Sequence, residues 1–126
     1  MSTLTVSNIQ KTGETASRDV SGVAAAWCTI GQTGTTALKD SLGVTSVTDN
    51  GTGKSTLAFT NDFSNQNYAA ATAIEDGSGF NDVRTVNRDN SQTRAVGQFA
   101  FYSVNGTNSV ADDADYVNVI IHGGLA

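Results

Sequence analysis

Six residues, Gly51 to Thr56, read GTGKST and end like a phosphate-binding loop. That chemistry needs G-x-x-x-x-G-K-[ST], with a lysine on the phosphates and a hydroxyl on magnesium. It also needs a helix directly after the motif, whose N-terminal amides and dipole meet the anion. Position 48, where the first glycine belongs, holds Thr48, and Leu57 and Phe59 alternate with Thr56, Ala58 and Thr60. Period two is the signature of a strand. The nucleotide reading therefore fails. Asn50-Gly51 between two alternating runs instead predicts a β-hairpin, because both residues tolerate the positive φ of a tight connection. Asp49 to Gly53 make its turn, and Lys54 points to solvent beside the tip.

Other groups with potential chemistry are sparse. Asp112, Asp113 and Asp115 cluster in one polar stretch and offer carboxylates of the kind calcium takes, but no EF-hand glycine and terminal glutamate accompany them. They are expected to form a solvated acidic loop. Glu75 and Asp76 precede GSG and read as turn residues rather than an acid–base pair. Cys28, the one cysteine, lies within AAAWCTI and is expected in the core, with neither disulfide nor zinc partner. His122 sits on the face of the last apolar run opposite Val119 and Ile121, which places it in solvent or at a subunit interface. Neither G-x-S-x-G nor H-E-x-x-H occurs. No catalytic residue, cofactor or metal is expected. Tyr68, Phe80, Tyr102 and Tyr116 are candidates for an aromatic platform that receives sugar rings, with core or subunit packing as the competing role.

The elements that must position these groups are strands. The chain has 126 residues, 15% of them charged, 13 glycines and no proline, and the remainder is rich in Ser, Thr and Asn. Such a composition suits β structure with many tight turns. A net charge of −5, with Arg18, Lys39, Lys54, Arg84, Arg88 and Arg94 scattered singly, argues against nucleic acid as a partner. No apolar run reaches the length of a membrane span, and the N-terminus lacks the pattern of a secretory signal. LTVSNI alternates like a half-buried strand, and KTGETASRDVSG reads as a linker or extended arm. VAAAWCTI is expected as a strand buried on both faces, and GQTGTTALKDS as a loop. NYAAATAIEDG carries Tyr68, Ala70, Thr72 and Ile74 on one face and three alanines on the other, a face that another sheet or subunit can approach closely. DVRTVNRD reads as an edge strand, TRAVGQFAFYSV and YVNVIIHG as strands, and NGTNSVADDAD as a loop. Short, evenly spaced strands predict an antiparallel β-sandwich or jelly-roll-like domain over residues 23–126, preceded by an N-terminal arm, residues 1–22.

Residues 24–73 resemble a module that recurs in fibre proteins of tailed bacteriophages, notably marine ones. The matching pieces are Ala26-Trp27, Gly34-Thr35, VTSVTDNGTG from Val44 to Gly53, Phe59-Thr60 and Asn67-Tyr68-Ala69. The opening MSTLTVSNIQ is similar to the attachment stretch of such proteins. The chain departs at Cys28-Thr29, where the family commonly has Val-Asn, and at Lys54, where an acidic or aromatic residue is usual. The resemblance implies a non-enzymatic virion structural protein on the particle surface, made in the host cytoplasm and usually homotrimeric. It implies an N-terminal anchor to other virion proteins, here through Leu4, Val6 and Ile9, and a β domain facing the host that adsorbs to surface polysaccharide. The alternative is a capsid decoration protein with no receptor role. Small residues and few large apolar side chains agree with burial gained by self-association.

Overall fold

The computed structural model describes residues 8–9, 18–19, 23–75, 84–106 and 109–126. It is an all-β sandwich of two antiparallel sheets, four and five strands, as the alternating runs predict. Within the predicted arm, β1 (Asn8–Ile9) pairs antiparallel with β2 (Arg18–Asp19), so part of the segment read as a linker joins a short ladder. The backbone of Ile9 lies in that ladder, whereas Leu4 and Val6 fall outside the described residues.

The first large sheet is built from β3 (Ala24–Gly31), β4 (Ala37–Leu42), β7 (Ala69–Glu75) and β11 (Tyr116–His122), in the order β4-β3-β11-β7. The second contains β5 (Val44–Asp49), β6 (Lys54–Phe59), β8 (Arg84–Arg88), β9 (Gln98–Asn105) and the two-residue β10 (Val110–Ala111). There β9 is central, pairing with β8 on one side and with β6 and then β10 on the other. Two expectations are corrected. Residues 37–41, read as loop, belong to the strand β4, whose edge position leaves Lys39 and Asp40 exposed and so erases the period-two signal. The run VAAAWCTI buries one face rather than two: Ala26, Cys28 and Ile30 point inward, while Ala25, Trp27 and Thr29 are only half-buried.

The chain passes from one sheet to the other at Gly43. Its φ is +70°, and a Cβ there would stand 2.6 Å from the Ala25 carbonyl oxygen, so the corner between β4 and β5 admits only glycine. On the other flank, β7 and β8 are the facing edges of the two sheets. Between the sheets, Ile30, Leu57, Val117, Val119, Ile121 and Phe101 are fully enclosed, each contributing about 1.5–3 kcal/mol of burial. The large side chains are concentrated at one end. Phe59 and Phe63 meet edge-to-face at 4.9 Å between centroids, Phe63 and Tyr68 lie 4.9 Å apart, and Phe99 stacks on Phe101 at 6.0 Å. A core with few large residues thus places its aromatics together, where ring pairs add to simple burial.

Candidate functional site

GTGKST folds as the hairpin its Asn-Gly predicts, with Asn50 to Gly53 joining β5 to β6. The Gly51 amide donates to Asp49 Oδ1 at 2.8 Å and the Lys54 amide to the Gly51 carbonyl at 2.8 Å. Lys54 is exposed, and a strand follows it. The stretch is therefore not a phosphate cradle. Gly53 instead ties the hairpin tip to β9 and to the stretch after β10: its amide donates to Asp113 Oδ1 at 2.6 Å and its carbonyl accepts from the Ser103 amide at 2.8 Å.

Behind this contact lies a buried polar bridge between the sheets. Gln32, just past β3 and 1% exposed, donates through Nε2 to Ser55 Oγ at 3.2 Å. Its Oε1 accepts from Ser103 Oγ at 2.8 Å and from the Ala114 amide at 3.1 Å. Buried polar atoms need such partners, and these are satisfied. The bridge has the character of a structural pin. The acidic cluster belongs to the same end but does not converge: Asp112 pairs with Arg84 at 3.1 Å, Asp113 receives the Gly53 amide, and Asp115 Oδ1 accepts from Thr33 Oγ1 at 3.2 Å. Part of the run read as loop is the strand β10, which carries Val110 and Ala111 into the ladder beside β9.

At the opposite end a cleft of about 330 Å³ opens between the facing edges β7 and β8. Its walls are Ala70 and Thr72 from β7, and Val86 and Arg88 from β8. The cause is local. Inward positions of β7 hold Ala70 and Thr72, opposite Ile121 and Val119, and side chains so small leave the flank unfilled. Tyr68 and Phe99 also line the cleft, as does Arg94. The Arg94 guanidinium carbon lies 4.4 Å from the centroid of the Tyr68 ring, and its Nη2 donates to the Tyr68 carbonyl. Its Nε is buried and has no hydrogen-bond partner among the described residues. Arg88 donates to Asn90 Oδ1 at 2.9 Å and to the Gln92 carbonyl at 2.8 Å. Burial raises the Tyr68 phenol pKa, and the neighbouring Arg94 opposes that shift. Asp89, next to Arg88 in the chain, is held below its ordinary range by the Ser91 hydroxyl and amide, which donate to Oδ1 at 2.6 and 2.9 Å.

The aromatic candidates do not assemble into one platform. Tyr68 is 3% exposed, with its hydroxyl donating to the Gln98 carbonyl at 2.7 Å, so it is a core residue whose ring touches the cleft. Tyr102 lies on the outer face of the five-stranded sheet, beside Lys54 and Asn87, and Tyr116 on the outer face of the four-stranded sheet. Phe80 falls outside the described residues. Cys28 is buried, as expected, and burial pushes its thiol up to about 12. His122 is half-exposed on an outer face, opposite Ala69. Sequence reading missed the pairing of Arg88 with Arg94, treating the cations as scattered. The signal was present in the Asp89-Asn90-Ser91-Gln92 turn, which folds the chain back and brings its two flanks to one cleft.

The outer face of the four-stranded sheet carries a second feature. Leu42, Trp27, Ile120 and Ala71 are direct cross-strand neighbours and form one apolar row across all four strands. Leu42 is 58% and Ile120 44% exposed. Beside the row, Thr29 Oγ1 donates to Asn118 Oδ1 at 2.7 Å. β7 ends the sheet as an edge whose residues Ala69 to Ala73 carry no charge. No protein-family model, curated protein or solved structure matches this chain.

Proposed function

We propose that this chain is a non-catalytic structural subunit of a bacteriophage appendage, a short tail or head fibre, that self-associates as a homotrimer and adsorbs to host-surface glycan. The observation that carries the assembly part is the apolar row Leu42–Trp27–Ile120–Ala71 with its uncharged edge strand. Edge strands are ordinarily guarded by charge, proline or a covering element, and contiguous exposed apolar surface marks an interaction site. A second copy of the chain is the occupant that fits. The centre of the face is uncharged, so two chains of net charge −5 meet there without repulsion, and alanines let backbones approach closely. The sequence resemblance to fibre modules supports the virion role and the N-terminal anchoring through Leu4, Val6 and Ile9.

Light scattering on the purified chain at micromolar concentration tests the assembly. A trimer is expected, and Ile120→Lys, which puts a charge at the centre of the row, should dissociate it while leaving the far-UV spectrum unchanged. A wild-type monomer would end the proposal. Incubation with host cells and with capsids tests the role: binding to cells supports adsorption, whereas saturable binding to capsids alone supports decoration.

A further inference from the structure

We infer that the cleft between β7 and β8 is a binding site for an anionic saccharide unit, a sugar ring bearing a carboxylate. The inference deepens the adsorption reading by naming its ligand class. Two observations converge. Arg88 and Arg94 both line the cleft, and neither forms an ion pair with a carboxylate among the described residues; their hydrogen bonds go to an amide and to carbonyls. The Asp89 carboxylate beside Arg88 offsets part of the cleft's positive charge, and the remainder favours an oxyanion, since the guanidinium fork matches carboxylate geometry.

The rest of the lining selects a ring rather than a bare anion. Ala70, Val86 and Phe99 present C–H surface, while the Thr72 hydroxyl supplies a hydrogen-bonding group. A sugar ring has that same mixture, with an apolar C–H side and hydroxyls at its rim. About 330 Å³ falls at the lower end of the range for small-molecule sites, enough for one ring. The cleft is open at the flank because β7 carries small residues there, so a unit within a longer polysaccharide can enter without the chain ends being threaded.

The test is an amide NMR titration of the full chain with glucuronate, glucose and inorganic phosphate. Glucuronate should shift the Tyr68, Thr72, Val86 and Asn87 amides with a Kd of about 1 mM, and glucose should not. Arg88→Gln should weaken glucuronate by about tenfold, a loss of one charge-assisted contact, and Arg88→Lys should restore part of it. Arg94 also holds the Tyr68 carbonyl, so Arg88 is the decisive position, and an otherwise unchanged spectrum certifies the variant's fold. Equal shifts from glucose, an unaffected Arg88→Gln, shifts elsewhere on the surface, or silence at tens of millimolar (well beyond about 1 mM) would each overturn the inference. Phosphate binding as tightly as glucuronate at the same amides would overturn the saccharide class. Because the titration reads the cleft in whatever assembly state the chain adopts, its failure is distinct from failure of the trimer.

Discussion

Replacing Gly53 by alanine probes the reasoning at its most demanding point. Gly53 has φ +69°, and a Cβ built there would stand 2.7 Å from both the Asp112 amide nitrogen and the Ser103 carbonyl oxygen. Those are backbone atoms of two neighbouring segments and cannot swing aside as a flexible side chain would. The left-handed conformation alone costs a residue with a side chain about 1–2 kcal/mol. Relieving the clash opens the hydrogen bonds to Ser103 and Asp113, at about 1 kcal/mol each. The expected destabilisation is about 3–4 kcal/mol, large against a typical total of about 5–15 kcal/mol. Gly34→Ala is the control, since Gly34 has φ +75° but no atom of the described residues within 4 Å of the added Cβ. It should cost only the backbone term, about 1–2 kcal/mol. Urea unfolding followed by Trp27 fluorescence at one fixed chain concentration separates the two, with the Gly53→Ala midpoint lower than the control by roughly 1–2 M. Coincident midpoints for the two variants would refute the packing assigned to Gly53.

Two further outcomes follow from the core. Gln32→Ala should lower stability by about 2–4 kcal/mol, because Ser55, Ser103 and the Ala114 amide lose a shared buried partner; Gln32→Glu should be no better, and urea midpoints check both. Cys28 should resist thiol reagents at pH 8 in the folded chain and react on unfolding, as a colorimetric thiol assay would register. Its folded pKa of about 12 lies above the ordinary 9.0, so the unfolded chain loses the proton first. Stability should therefore be unaffected by this group below pH 9.0 and fall as pH rises from there towards about 12, a slope that Cys28→Ala reduces, leaving the part that the raised Tyr68 phenol adds above 10.0.

The acid side of the molecule illustrates how far local pattern reaches. Asp112, Asp113 and Asp115 read as one solvated cluster, and the structure sends them in three directions: to Arg84, to the Gly53 amide and to Thr33. Each partner is distant in sequence, so proximity along the chain carried no information about them. Residues 37–41 were illegible for a different reason. An edge strand with exposed Lys39 and Asp40 shows no alternation, because alternation records burial rather than extended backbone. The Arg88–Arg94 cleft depended on both limits at once, since it needs a turn to fold back and an edge strand opposite that is lined by Ala70 and Thr72.

The sequence by itself determined the strand character of the alternating runs, the Asn50-Gly51 hairpin and the inward faces of β6 and β11, because side-chain alternation and turn stereochemistry act within a few residues. It also determined which residues of β7 share a face. Only the tertiary structure decided what those faces meet. Tyr68 became core, Gln32 became the pin between sheets, and Leu42, Trp27, Ile120 and Ala71 became one row, because each depends on strand register between segments far apart in the chain. GTGKST shows both at once: its own residues make the turn, and the backbone of Ser103 and Asp112 decides that Gly53 must be glycine.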